Sequence, residues 1–385
     1  MQNFDFYNPT RICFGEGQIA KLADLVPQDA KVLILLGGSS ARRNGTLDEV
    51  KQALGERQQF EFDGIEPNPT YETLMKAVAS IKENGIDFLL AVGGGSVIDG
   101  TKFVAAAAHY EGEPWEIMQT FGAKVTSAMP FGSVLTLPAT GSEMNSGSVV
   151  TRKSIKAKLA FMSPHVFPQF SILDPVKTYT LPKRQIANGV VDAFVHTTEQ
   201  YLTYPVGAMV QDRYAESLLK TLIEVGPKAL ANPEDYNVRA NLMWTATCAL
   251  NGVIGAGVPH DWATHMIGHE LTALHDIDHA RTLAIVLPSL LRHTKAEKKA
   301  KLLQYAERVW DITEGDDDTR INTAIDKTQA FFESLEIGTR LGDYELDESH
   351  VDALVGQLET HGMVALGEHQ KIDLDASRAI LKGAL

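Results

Sequence analysis

Cysteine is scarce in this sequence: only Cys13 and Cys248 occur among 385 residues, far apart in the chain. Two such thiols cannot build a disulfide framework or a Cys-rich zinc module, and their scarcity fits a reducing compartment. No stretch of about 20 residues is apolar enough to span a bilayer. The opening MQNFDFYNPTRICFGEG lacks the basic segment followed by an apolar one that marks a secretory signal. A soluble, cytoplasmic protein is expected. Positive charge is also short: 35 Lys and Arg against 49 Asp and Glu leave a formal charge of −14. That balance argues against nucleic acid or an anionic membrane as partner, since both require clustered Lys and Arg. The chain has no internal repeat and no low-complexity tract, and the basic stretch from Lys295 to Lys301 and the acidic Asp316 to Asp318 read as solvated surface. Two hydrolase signatures are missing as well. There is no G-x-S-x-G, and His269-Glu270 fails as H-E-x-x-H because position 273 is Ala273.

What is present divides into two halves. In the first, short aliphatic runs end in glycine: Lys31 to Leu36 meets Gly37-Gly38, and Phe88 to Val92 meets Gly93-Gly94-Gly95-Ser96. Such runs read as buried parallel strands. Ser133 to Leu137 and Phe170 to Leu173 read as two more. Helical spacing between Thr70 and Asn84, and an Ala-rich helix-prone segment from Val97 to His109, complete an alternation expected of a doubly wound α/β domain. From Pro182 onward helical periodicity dominates, with helices expected over Arg184–Leu202, Asp212–Glu224, Tyr236–Asn251, Lys295–Trp310 and Ile321–Leu335. Proline-containing turns between Asp174 and Pro182 mark the boundary. The expectation is therefore two domains: an α/β Rossmann-like nucleotide-binding domain over residues 1–180 and an all-helical metal-binding domain over 181–385.

The loop from Gly93 to Asp99 follows a strand and opens a helix. Glycines allow close backbone approach, and a helix N-terminus presents free N–H groups to an anion, so a phosphate fits there. The dinucleotide fingerprint G-x-G-x-x-G is not matched, because Ile98 holds the third glycine position. A P-loop is not matched either, since Thr101-Lys102 reverses the required order. In the earlier loop, Gly37-Gly38-Ser39-Ser40-Ala41-Arg42-Arg43, no acid appears before Asp48. An acid after a strand is the common partner of the NAD ribose, whereas a nearby arginine accommodates the 2′-phosphate of NADP. If a dinucleotide binds, NADP is expected.

The helical half carries a local excess of histidine, five of the twelve lying between positions 260 and 279. Asp192 and His196 are four apart among apolar neighbours and share a helix face, and His265 and His269 repeat that spacing. His275 and His279 follow. Imidazole and carboxylate suit a divalent ion with no thiolate. Spacing alone leaves open which of these residues coordinate, or whether they are hydrogen-bonded core residues.

Taken in order, several segments resemble the iron-containing (group III) alcohol dehydrogenases, and most closely their NADPH-dependent aldehyde reductase and butanol dehydrogenase branch. They are Gly93-Gly94-Gly95-Ser96 with Asp99, Thr136 through Thr140 to Glu143, and Leu173-Asp174-Pro175. Asn188-Gly189 through His196 with Glu199, and the series His265, His269, His279, follow them. The resemblance covers essentially the whole chain. It implies a dehydroquinate synthase-like architecture and a metal held by Asp192, His196, His265 and His279, with zinc the first choice and iron the second. It makes His269 a candidate proton-relay residue. It places pyrophosphate at Gly94, Gly95 and Ser96, the nucleotide along Thr136, Thr140 and Lys158, and the adenosine ribose at Gly37, Gly38, Ser39 and Ser40. Asp99 belongs to the same cofactor-binding set, with Arg42 and Arg43 as candidates for the 2′-phosphate. A homodimer is implied too. One departure is local: relatives carry a His-Gly pair after the second helix, where this chain reads His275-Asp276, and His279 is followed by Ala280.

The expected chemistry is reversible interconversion of short- to medium-chain aldehydes and primary alcohols with NADP(H), in a cleft between the domains. One carboxylate and three neutral imidazoles would leave a divalent ion with a residual charge of about +1, able to polarise a carbonyl. Trp262, Phe131, Met144 and Leu181 are candidates for an apolar pocket. A dehydroquinate synthase-like lyase is the nearest rival, disfavoured by the shortage of cations around Asp192 to His196. A non-catalytic nucleotide- or metal-binding protein is a further alternative.

Overall fold

Short, almost wholly aliphatic segments form the middle of a six-stranded parallel sheet in the computed structural model, which describes residues 1–385. The strands are β1 (Arg11–Phe14), β2 (Lys31–Leu36), β3 (Gln58–Phe62), β4 (Phe88–Gly94), β5 (Phe131–Leu137) and β8 (Phe170–Leu173), and β6 (Gly147–Arg152) pairs with β7 (Ala157–Met162) as a separate antiparallel hairpin. Helices α1 (Leu22–Leu25), α2 (Ser40–Arg43), α3 (Thr46–Leu54), α4 (Tyr71–Asn84), α5 (Gly95–Ala108) and α6 (Glu116–Gln119) connect them. Every residue of β2 after Lys31 is buried, because apolar clusters cover both faces of the sheet. Register is fixed by Val32 opposite Phe88 and Leu90 opposite Gly132.

Strand order is β1-β8-β5-β4-β2-β3. The chain moves from β2 outward to β3, returns to β4 on the other side of β2, and continues outward to β5. The order therefore reverses between β2 and β4. In an open α/β sheet a ligand binds outside the carboxyl ends of the strands flanking that reversal. Those ends here are Gly37-Gly38 and Gly93-Gly94-Gly95.

The remaining helices are α7 (Lys183–Tyr201), α8 (Met209–Ala231), α9 (Tyr236–Ala249), α10 (Ala263–His275), α11 (His279–His293), α12 (Lys299–Arg308), α13 (Asp317–Ser334), α14 (Val351–Thr360) and α15 (Leu374–Gly383). α7 packs against α8, α10 and α11, and α11 packs against α10, α13 and α15. The chain thus combines a parallel α/β domain with a helical one. No helix is long and apolar enough to cross a membrane.

Two findings differ from the sequence reading. First, the two compact units do not divide at residue 181 alone. Tyr7–Leu181 and Pro233–Thr247 form the sheet unit, while Met1–Phe6, Pro182–Asn232 and Cys248–Leu385 form the helical one. Most of α9 joins the sheet unit because the buried Arg239 donates from Nε to Thr178 Oγ1 at 2.8 Å and from Nη2 to Thr178 O at 2.6 Å. The Trp244 ring also meets the edge of Phe14, at 6.0 Å between centroids. Helical periodicity reveals a buried face without saying which unit buries it. Second, Lys298 and Lys301 are not solvated surface; they are 1% and 3% exposed. Lys298 Nζ lies 2.9 Å from Asp261 Oδ2 and 2.7 Å from Glu368 Oε1, and Lys301 Nζ lies 2.6 Å from Asp212 Oδ1. Their partners are far away in sequence, out of reach of a local charge pattern.

Gly132 on β5 faces the buried Phe170 ring, which stacks on Phe88 at 6.2 Å and 12°. A Cβ at Gly132 would fall inside the van der Waals envelope of that ring. Gly132→Ala should therefore destabilise the chain by roughly 1–3 kcal/mol through overpacking. Urea denaturation followed by fluorescence checks this; an unchanged midpoint would show that the ring has room to move.

Candidate functional site

Three helix segments of the helical unit bring carboxylate and imidazole groups together. Asp192 and His196 lie one turn apart on α7, placing His196 Nε2 3.7 Å from Asp192 Oδ1. His279, at the start of α11, places its Nε2 at 3.7 Å from the same oxygen. His265, in the first turn of α10, stacks on His196 with centroids 4.7 Å apart and lies 5.1 Å from the His279 ring. One ligand atom each from Asp192, His265 and His279 lies within 4.8 Å of the other two. Ligands about 2.1 Å from a shared tetrahedral ion sit roughly 3.4 Å apart, so the set is near coordinating geometry. Asp192, His196, His265 and His269 are all buried, and His279 is partly so.

The chemistry of this set can be tested against a cation. Asp192 Oδ1 is buried and accepts no hydrogen bond. A buried carboxylate oxygen left so costs about 1–3 kcal/mol or more. A divalent ion among the imidazoles relieves that cost. One carboxylate with three neutral imidazoles is a nitrogen and oxygen donor set suited to zinc or ferrous iron.

The backbone carrying these groups is held by further polar and charged side chains, some exposed and some buried. Asn188 Nδ2 and Arg184 Nε on α7 each donate to Asp278 Oδ2 at 2.8 Å, fixing the residue before His279. Asp261 Oδ1 accepts from Ala263 N at 3.1 Å and so caps α10, while its other oxygen meets Lys298. Burial works against the Lys298 ammonium, but Asp261 and Glu368 outweigh it and hold the group above its ordinary value. Glu199 on α7 accepts from Thr264 N at 2.8 Å and His265 N at 3.3 Å, and its second oxygen meets His265 Nδ1. Burial, reinforced by Asp261, pushes the Glu199 carboxyl well above the usual carboxylate range. A cation among the neighbouring ligands acts in the opposite sense and favours the carboxylate. Glu199 lies seven residues after Asp192, on the same helix face; that spacing was the available signal.

Two more residues border the cluster. His269 lies 5.3 Å from His279 and 6.2 Å from His265 between ring centroids. Trp262, with φ of 61°, turns the chain into α10 and sets its ring edge-on to His265 at 5.3 Å. Its Nε1 donates to His260 Nδ1 at 3.1 Å, which leaves His260 Nε2 to donate to Gly255 O at 2.9 Å.

In the sheet unit the candidate nucleotide residues collect at one end of adjacent strands. Gly37 to Ser40 follow β2, Gly94 to Ser96 join β4 to α5, and Thr136 and Thr140 lie at and beyond the end of β5. Gly95 is required by contact: a Cβ there would lie 2.9 Å from Thr140 Cβ. Arg43 Nη1 donates to Ser39 Oγ at 2.5 Å. Arg42 is already engaged, its Nη2 lying 2.5 Å from both Glu61 Oε2 and Asp63 Oδ2. Asp99 accepts from Ser142 Oγ at 2.5 Å and Val149 N at 2.9 Å, so its carboxylate ties α5 to the β6–β7 hairpin. Lys158 Nζ on that hairpin donates to Asn68 Oδ1 at 2.9 Å. Lys102, fully buried beneath the loop, donates to Asn145 Oδ1 and Gly147 O at 2.8 Å, and burial lowers it to about 8. Of the apolar-pocket candidates, Phe131 belongs to the sheet core.

Residues 9–175 match the iron-containing alcohol dehydrogenase family, and residues 186–385 match the C-terminal part of the Fe-containing alcohol dehydrogenase family. The chain belongs to the iron-containing alcohol dehydrogenases. It is 61% identical over 386 residues to the NADPH-dependent aldehyde reductase YqhD of Escherichia coli (strain K12), covering all of both chains. It is 45% identical to the probable NADH-dependent butanol dehydrogenase 1 of Bacillus subtilis (strain 168), again over all of both. Among solved structures it resembles the NADH-dependent butanol dehydrogenase A of Thermotoga maritima with a TM-score of 0.95 at 34% identity, covering 100% of this chain and 99% of that one.

Gly95→Ala should push the Thr140 segment away from the loop and raise the KM for NADPH about 10-fold or more, with the metal content of the protein unchanged. Steady-state kinetics together with metal analysis checks this. A variant with parental KM would show that the loop does not meet the cofactor.

Proposed function

We propose that this protein is a metal-dependent, NADPH-linked reductase of short- to medium-chain aldehydes, working reversibly as an alcohol dehydrogenase. The reading is carried by a one-carboxylate, three-imidazole cluster in a chain similar along its whole length to an NADPH-dependent aldehyde reductase. Asp192, His196, His265 and His279 hold the metal. When bound, the ion supplies positive charge that polarises a substrate carbonyl and stabilises the developing alkoxide. Zinc is the first choice, because such donors bind it more tightly than ferrous iron, which comes second. NADPH supplies the hydride.

The chain's own groups do the rest. Gly94, Gly95 and Ser96 offer the N-terminus of α5 to the pyrophosphate. Gly37, Gly38, Ser39 and Ser40 take the adenosine ribose, and Arg43 meets the 2′-phosphate in charge-assisted hydrogen bonds. Thr136, Thr140 and Lys158 line the nucleotide, while Asp99 acts by holding Ser142 and Val149 in place. His269 moves the proton that completes the alcohol. Trp262 borders the substrate, and an apolar wall discriminates chain length by only about 1–3 kcal/mol per methylene, which favours broad aldehyde use. A cytoplasmic homodimer belongs to the same proposal. A lyase acting on a phosphorylated sugar acid fits less well, because Arg184, Arg281 and Lys298 all meet carboxylates near the cluster.

The deciding experiment measures initial rates of NADPH and NADH oxidation with butanal, on protein stripped of metal and reloaded with zinc, iron or manganese. Metal-dependent turnover favouring NADPH is expected. Nucleotide binding without turnover for any metal would return the lyase or non-catalytic readings. His269→Gln should keep its metal and lose about 100-fold or more in kcat; loss of metal instead would make His269 a ligand. For the cofactor, Arg43→Ala should raise the KM for NADPH about 10-fold while moving that for NADH little. Arg42→Ala should give the smaller shift, and equal loss for both cofactors in Arg43→Ala would defeat the assignment.

A further inference from the structure

Glu199 makes three contacts with two successive residues of α10. One oxygen accepts from the amides of Thr264 and His265, and the other meets His265 Nδ1. The side chain is 1% exposed. The two amides belong to the first turn of α10, whose N–H groups have no partners within the helix. A single carboxylate therefore both closes the start of the helix and engages the ring of the histidine it carries. With Nδ1 directed at Glu199, the nitrogen that His265 offers to Asp192 and His279 is Nε2.

Neutral imidazole holds its proton on one nitrogen and its acceptor lone pair on the other. A carboxylate facing Nδ1 favours the Nδ1–H form, in which Nε2 carries the lone pair that a cation needs. We infer that Glu199 is a positioning residue that fixes the tautomer of His265 and thereby sets the affinity of the cluster for its metal. The inference rests on the metal reading of Asp192, His196, His265 and His279. Carboxylates in this relation to a ligating histidine alter metal affinity by about 10–100-fold.

Glu199→Gln separates the two roles. The glutamine oxygen still accepts from Thr264 N and His265 N, so the helix start is kept. Its amide group, in place of the second oxygen, donates to Nδ1 and selects the Nε2–H tautomer, which cannot ligate. The opposite amide orientation sets an NH2 group against two backbone N–H donors.

The test uses full-length protein stripped of metal and titrated with zinc in competition with a chromophoric chelator. Melting temperatures of the metal-free proteins and nitrogen NMR of labelled histidines at pH 8 accompany it. The expected result is a Glu199→Gln protein that melts within a few degrees of the parent, binds zinc about 10–100-fold more weakly, and shows His265 as the Nε2–H tautomer. Parental zinc affinity in the variant would reduce Glu199 to a helix cap and overturn the inference while leaving the metal reading intact. A parent protein that takes up no zinc would overturn both. Should the variant not fold, the parent spectrum decides: His265 protonated on Nε2 alone overturns the inference, and protonated on Nδ1 alone supports it.

Discussion

The helical unit is organised around charge that has been taken out of water. Asp192 Oδ1 is buried, accepts no hydrogen bond, and lies 3.7 Å from imidazole nitrogens on α7 and α11. A desolvated carboxylate is stable only when opposite charge or donors surround it. Other acids of the same unit meet cations or amide donors: Asp261 and Glu368 meet Lys298, Asp212 meets Lys301, and Asp278 meets Arg184 and Asn188. The neighbours of Asp192 Oδ1 are ligand-type nitrogens rather than cations. An ion bound there in the folded state alone stabilises that state by mass action. Metal binding and the packing of α7, α10 and α11 are therefore one thermodynamic problem.

The sheet unit solves a different problem, that of bringing backbone close to an anion. Parallel pairing of β2, β4 and β5 delivers three strand ends side by side, and the reversal of strand order between β2 and β4 opens space beyond them. α5 begins at Gly95, within contact of Thr140 from the loop after β5, so no side chain can stand between these segments. Lys102 and Asp99 lie one turn apart on α5 and both fasten it to the segment from Ser142 to Val149. Side chains that look like cofactor ligands in the sequence can thus serve the loop from behind.

How much of this was legible in the sequence follows from the range of the interactions involved. β2, β4 and β8 announce themselves because strands buried on both faces need continuous apolar runs. The pairing of Asp192 with His196 is legible because four residues make one helix turn. β3, with its QQFEF sequence at the sheet edge, and the hairpin β6–β7 are only partly buried and carry no such run, so they escaped notice. The assembly of the cluster depends on contacts across 66 residues for Glu199 with His265 and across 90 for Asn188 with Asp278. No local period encodes these. For the same reason Lys298 and Lys301 looked like surface charge: their sequence neighbours are polar, and the acids that permit their burial come from other helices.

The two arginines after β2 show how similar residues divide under electrostatics. Glu61 near the end of β3 and Asp63 just beyond it are two carboxylates that would repel a phosphate approaching that end of the sheet. Arg42 meets both, and Lys51 meets Glu61 as well. The pairs are exposed enough that water and salt weaken them, so their contribution to stability is small. Their effect on the local field is a separate matter, because neutralising the acids removes an opposing potential without supplying an attractive contact. Arg43 faces no carboxylate and bonds only to Ser39 Oγ, an interaction that a phosphate oxygen can replace at a gain. A preference for the 2′-phosphate thus draws on two terms of different kind: a direct one from Arg43, which depends on geometry, and an indirect one from Arg42, which depends on ionic strength.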